Sequence, residues 1–149
     1  MVNLELLKKL RELTGVSFSL CKKALEESNN NLEEAKKLLS KWGADKAKEK
    51  AERKTTSGVI FSYVHHNKKI ASLVQMESET DFVSGNVEFQ KLGQEIAMQV
   101  ASLKPETVDE LLNQDYIRDP SKKVSDLLKE AILKFGENIK IDRIIYWQV

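Results

Sequence analysis

A single cysteine, Cys21, stands among the 149 residues. That excludes an intrachain disulfide and suits a reducing compartment. Histidine is nearly as scarce: His65 and His66 are the only two, and no Cys/His cluster has zinc-ligand spacing. The six glycines are scattered and form neither a GxxxxGK nor a GxGxxG run, so the common phosphate-cradling loops are absent. No apolar run approaches the ~18 residues that mark a transmembrane helix. Met1-Val2-Asn3-Leu4 leads directly into a charged amphipathic pattern, with no apolar leader segment. Charge of one sign is missing too. Lys and Arg number 24 against 23 Asp and Glu, a formal net charge of +1. Strongly cationic nucleic-acid binding and polybasic membrane attachment are therefore excluded as global properties, though a local patch is not. No nucleophile–base constellation is visible, which weakens any hydrolase or transferase reading, and nothing calls for a cofactor. Cys21 reads as a small packed hydrophobe.

What is present is a chain of about one domain with a small appendage. Residues 1–42 read as a helical unit. Leu4, Leu7, Leu10 and Leu13 recur at helical spacing, and Thr14-Gly15 ends that helix with Gly15 as a left-handed cap. Ser17 or Ser19 caps a second helix running to Ser28, which buries Leu20, Ala24 and Leu25. Asn29-Asn30-Asn31 is a turn. Asn31 and Glu34 have capping-box spacing and open a third helix to Trp42, with a stripe of Leu32, Ala35, Leu38, Leu39 and Trp42. Residues 43–57 read as a joint. Gly43 interrupts, 44–54 alternates Lys, Glu and Ala as a solvated helix or linker, and 55–58 is a loop.

Over 58–149 the period changes. Val59-Ile60-Phe61-Ser62-Tyr63-Val64 and Ile70-Ala71-Ser72-Leu73-Val74-Gln75-Met76 are β-rich, and His65 to Lys69 joins them as a five-residue hairpin connection. Residues 78–86 read as a polar connection. A helix follows over 87–103 with Asn86 as its cap, then a short helix over 108–112, a turn at Asp119-Pro120-Ser121, a helix over 124–135 stopped by Gly136, and a strand over 139–149. The order β-β-α-α-α-β predicts an α+β core, an antiparallel three-stranded sheet packed with helices. By alternation, Val59, Phe61 and Tyr63 share one face, and Ile60 and Val64 the other. Ile139, Ile141, Ile145, Trp147 and Val149 share one parity, and Ile144 and Tyr146 the other. Both faces are thus apolar, which predicts that the second face is covered, most simply by a second copy.

Three stretches carry a resemblance. Leu10-Arg11-Glu12-Leu13-Thr14-Gly15-Val16-Ser17-Phe18-Ser19-Leu20-Cys21-Lys22-Lys23-Ala24-Leu25 is similar to the N-terminal signature of translation elongation factor Ts. Glu77-Ser78-Glu79-Thr80-Asp81-Phe82-Val83-Ser84-Gly85-Asn86 resembles the second signature of that family. The hairpin Tyr63-Val64-His65-His66-Asn67, with Phe89-Gln90-Lys91-Leu92, Glu95-Ile96-Ala97-Met98-Gln99 and Asp119-Pro120-Ser121-Lys122, agrees in order and spacing. The likeness covers essentially the whole chain. It departs at Ser78, where the family usually has Asn, at Gly85, where it has Arg or Lys, and at Ser19, where it has an apolar residue.

The resemblance implies a non-enzymatic nucleotide exchange factor for the GTPase elongation factor Tu. Thr80, Asp81, Phe82 and Val83 would form the tip that dislodges Mg²⁺ from the GTPase. Arg11, Phe18 and Ser19 of a ubiquitin-associated-like three-helix bundle would make a second contact, and His65 and His66 are further contact candidates. It also implies the short form of the family, with one core subdomain that dimerises through its sheet. The setting would be the bacterial cytoplasm, or an organelle for a mature organellar form. Without the resemblance, Phe82 is expected in its own core, and Asp81 as a helix cap. His65 and His66, taken as adjacent strand residues, should point to opposite faces and share no metal. A competing reading takes the bundle as an adaptor or nascent-chain module.

Overall fold

A computed structural model describes all residues, 1–149. The fold is α+β as expected, in two compact units: Met1–Ala51 with Lys129–Gly136, and Glu52–Leu128 with Glu137–Val149.

In the first unit, α1 (Leu4–Thr14) opens on Asn3, whose side chain accepts the N–H groups of Glu5 and Leu6. It closes on Gly15 at φ 66°, the left-handed conformation glycine adopts without a Cβ clash. Ser17 rather than Ser19 caps α2 (Phe18–Glu27), accepting from the Leu20 N–H at 3.4 Å. Asn29 and Asn30 turn the chain at φ 52° and 62°. The Asn30 side chain also reaches back, accepting from Asn3 N–H at 2.8 Å and donating to the Met1 carbonyl at 3.0 Å. Asn31 caps α3 (Leu32–Lys50) through the Glu34 N–H. Leu7, Leu10, Val16, Cys21, Ala24, Leu25, Ala35, Leu39 and Leu133 form the core of this unit.

Gly43 does not interrupt α3. It is buried in mid-helix, and a Cβ there would lie 2.9 Å from the Lys129 carbonyl oxygen. Glycine stands there because another backbone packs against it, so residues 43–50 of the expected joint are helix.

In the second unit β1 (Ser57–Val64) and β2 (Ile70–Ser78) form the expected hairpin. The short helix α4 (Asp81–Ser84) occupies the stretch read as a polar connection. Next come α5 (Val87–Leu103) and α6 (Val108–Asn113), then a small hairpin of β3 (Asp115–Tyr116) and β4 (Asp119–Lys123). The run Asp119-Pro120-Ser121 is therefore strand, and the turn lies at Ile117-Arg118. Tertiary anchoring explains the difference. Buried Gln99 of α5 donates to the Asp115 carbonyl and accepts from the Ile117 N–H. Helix α7 (Val124–Phe135) leads to β5 (Ile139–Gln148), which completes an antiparallel sheet in the order β1-β2-β5.

Helix α5 lies against the sheet. Gly93 makes the approach possible: a Cβ there would sit 2.0 Å from the Phe61 ring. Ser72 adds a tie, its hydroxyl donating to the Ala97 carbonyl at 2.6 Å.

One irregularity overturns the expected parity of β5. Gln75 pairs with Arg143 but Met76 pairs with Ile141, leaving Asp142 as an extra residue, a β-bulge that reverses the alternation beyond it. Ile139 and Ile141 face inward with Val74 and Met76. Beyond the bulge Ile144 and Tyr146, opposite Val74 and Ser72, turn inward, and Ile145 and Trp147 turn out. The outward face carries Ile60, Val64, Leu73, Ile145 and Trp147, all exposed.

Candidate functional site

The turn after β2 holds the residues singled out in sequence. Ser78, fully buried, donates its hydroxyl to the Thr80 carbonyl at 2.8 Å. Thr80 then stands at the N-cap of α4 in extended backbone, but its side chain makes no cap. Its hydroxyl donates instead to Glu137 Oε2 at 2.6 Å, and its N–H to Glu137 Oε1 at 3.0 Å. The next residues divide sharply. Val83 and Ser84 are buried, Asp81 is exposed, and Phe82 is 88% exposed.

Phe82 is thus not in its own core; Val83 fills that role from the other side of the turn. Asp81 lies one residue past the N-cap. Val83 anchors the turn from within, while Asp81 and Phe82 are presented outward. Behind them Arg53 pairs with Glu79 at 3.5 Å, and Asn138 donates to the Arg53 carbonyl. Nearby Glu77 is partly buried, which opposes ionisation, yet hydrogen bonds from Thr55 and Gln75 and the Lys140 charge hold its carboxyl below the usual range. At Gly85 the backbone is right-handed helical, so glycine is not required there by conformation.

The bundle carries a separate surface. Leu4, Leu7, Val16 and Phe18, with Gly15 and the charged Lys8, Arg11 and Glu12, line a groove of about 480 Å³. Phe18 is 51% exposed at the first position of α2. Arg11 and Ser19 are exposed as well, Ser19 within hydrogen-bond distance of Ser17. Cys21 beneath is fully buried, and burial pushes its thiol pKa up, which leaves it a poor nucleophile.

At the β1–β2 connection the rings of His65 and His66 lie against each other, tilted by 42° with centroids 4.1 Å apart, and the Tyr63 hydroxyl lies 2.8 Å from His65 Nδ1. The expectation of opposite faces fails because both residues lie beyond the end of β1, where strand alternation no longer applies.

Two anchors were not legible in sequence. Glu137 is 57 residues from Thr80, and no local pattern links them. Glu95, on α5, accepts from the Tyr116 hydroxyl and pairs with Arg118. Burial, reinforced by Glu95, pushes the Tyr116 pKa up to about 12.

Residues 1–55 match a family model described as Elongation factor Ts, mitochondrial, N-terminal, and residues 79–149 match one described as Elongation factor TS. Elongation factor Ts of Thermosipho melanesiensis is 39% identical, covering 100% of this chain and 99% of that protein. That of Thermotoga maritima is 36% identical over 99% and 96%. That of Aquifex aeolicus is 41% identical over 95% of this chain but 51% of its own length. The Thermosipho alignment runs over 194 positions against a chain of 149, so about 45 residues of that relative have no counterpart. With a family model matched at each end and whole-length relatives at this level of identity, the chain belongs to the elongation factor Ts family and so to the proteins of translation elongation.

Proposed function

We propose that this protein is a non-enzymatic guanine nucleotide exchange factor that binds elongation factor Tu in its GDP form and promotes GDP release. The observation that carries the reading is Phe82, a large apolar side chain 88% exposed on an anchored turn beside the Asp81 carboxylate. An isolated exposed aromatic of this size contributes little to its own fold and much to a partner pocket.

Such a GTPase holds GDP through phosphate contacts and a Mg²⁺ that bridges protein and phosphate oxygens. Exchange makes no covalent bond. It requires only that the factor bind the nucleotide-free partner more tightly than the GDP-bound one, and linkage then makes each ligand weaken the other. Phe82 acts as a wedge entering a gap between partner helices. Asp81 brings a negative charge that competes for donors and disturbs the Mg²⁺ shell from outside. The Phe18–Arg11 groove supplies a second contact, and His65 and His66 a third. The outward apolar sheet face is covered by a second copy of the chain, giving a homodimer. The setting is the bacterial cytoplasm.

The test is the release rate of a fluorescent GDP analogue from elongation factor Tu, with wild-type protein and with Phe82→Ala. Acceleration by the wild type and at least about tenfold less by the variant is expected, since a buried Phe contributes roughly 1.5–3 kcal/mol. Wild-type protein that is folded yet leaves release unaltered would overturn the proposal and favour the adaptor reading of the bundle.

A further inference from the structure

We infer that Glu137 is a positioning residue for exchange, acting through Thr80 to hold Phe82 in its outward pose. The inference rests on the exchange reading above and assigns a role to a residue outside the signature that carries it.

Helix α4 is a single turn. Four residues are far too few for an isolated helix, because nucleation costs more than one hydrogen-bonded turn returns. The N-cap hydroxyl that would normally stabilise such a start is diverted, since Thr80 makes no side-chain cap. The turn is therefore held from outside. Every polar atom of Thr80 is occupied: its N–H and hydroxyl by the two oxygens of Glu137 at 3.0 and 2.6 Å, and its carbonyl by the Ser78 hydroxyl at 2.8 Å and the Ser84 N–H at 3.2 Å. A charged acceptor makes the stronger kind of hydrogen bond, and two from one carboxylate fix direction as well as distance. Val83 is pinned in the core on the far side. Phe82, between the clasped Thr80 and the buried Val83, has nothing to rest on, so its direction is set by these two neighbours. Glu137 lies directly after the Gly136 turn that ends α7 and beside Asn138, which binds the Arg53 carbonyl. The clasp is thus mounted on structured backbone.

A carboxylate that only stabilised the unit would cost stability when removed and leave the behaviour of bound Phe82 unchanged. One that positions Phe82 should lose its influence once Phe82 is gone. The experiment is a double-mutant cycle on stimulated release of a fluorescent GDP analogue, at saturating factor and at temperatures where circular dichroism shows each variant folded. Glu137→Ala is expected to slow maximal stimulated release about tenfold. Glu137→Gln keeps one acceptor and supplies a donor to the Thr80 hydroxyl, so it should stay within about threefold of wild type. In the Phe82→Ala background, Glu137→Ala should change release by less than about twofold. If Glu137→Ala does not fold, Thr80→Val removes the hydroxyl contact from the other side and should slow release about threefold only when Phe82 is present. An equal loss in both backgrounds, or full activity of Glu137→Ala while Phe82→Ala is impaired, would overturn the positioning role. Full activity of Phe82→Ala would overturn the exchange tip itself, a separate result.

Discussion

Trp147 offers the sharpest test of whether the outward sheet face is an interface. The perturbation is Trp147→Ala. The side chain is 72% exposed, and a Trp presents roughly 150–250 Å², so about 110–180 Å² stands in water. At about 25 cal/mol per Å² its burial contributes roughly 3–4.5 kcal/mol. In a two-fold dimer both copies contribute, which doubles that figure as an upper bound. Association converts area inefficiently because of lost freedom and desolvation. Half of the bound, roughly 3–5 kcal/mol, still raises the dimer Kd by two to three and a half decades. Folding stability should hardly move, because the side chain packs on little of its own unit and surface substitutions stay within about 0.5 kcal/mol. Sedimentation velocity over a concentration series reads the Kd directly, and urea unfolding of the variant reads its stability. A wild-type protein that sediments as a monomer throughout the micromolar range refutes the reasoning. So does a dimer whose Kd ignores Trp147→Ala.

Two further outcomes follow from packing and protonation. Gly93→Ala drives a Cβ into the Phe61 ring, 2.0 Å away, and should destabilise by about 1–3 kcal/mol through overpacking despite the better helix propensity of Ala; unaltered urea stability would show that α5 can shift freely. Tyr116 stays neutral in the folded chain up to about 12, while the unfolded phenol ionises near its ordinary 10. Its contribution is fully present below pH 10 and is lost as pH rises toward 12, so Tyr116→Phe should flatten the alkaline fall in stability; an unaltered pH profile would contradict the assignment.

What was legible in the sequence was what is local. Gly15, Asn31 and Asn86 each act within four residues of themselves, so spacing identifies them, while for α2 it left Ser17 and Ser19 open and the structure chooses Ser17. The hairpin, the length of α5 and the α+β class follow from period. Three features escaped because their causes lie far away in the chain. Gly43 looks like a breaker until the Lys129 carbonyl is placed against it. The β3–β4 turn is set by Gln99. The clasp on Thr80 comes from Glu137. The bulge at Asp142 escaped for a different reason: one extra residue leaves no mark in a segment apolar at both parities. Ile144 and Tyr146 against Ile145 and Trp147 give no preference from hydrophobicity. The bulge places Tyr146 on the inward side, where its hydroxyl donates to Glu106 at 2.6 Å. The Trp147 indole lies on the outward side, 72% exposed. The conclusion of an apolar outward face survives the reversal because either set would have made one.

The two exposed phenylalanines both stand at the opening of a helix, α2 held by its local Ser17 cap and α4 by the distant Glu137. Phe18 follows the Ser17 cap at the first position of α2, and Phe82 lies two residues past Thr80 in α4. In each case the buried residues begin just downstream, at Cys21 and at Val83. The opening of a helix is where polar groups must already be anchored, since its first N–H groups have no intrahelical partner. That anchoring fixes the backbone without help from the aromatic ring. Phe82 is 88% exposed and Phe18 51%, so Phe82 adds little to folding, and the exposed part of each ring is free to be buried by a partner. The same physics explains why the anchors matter more than the rings for the fold, and the rings more than the anchors for binding. A substitution at Phe82 should therefore separate activity from stability, whereas one at Thr80 or Glu137 should touch both.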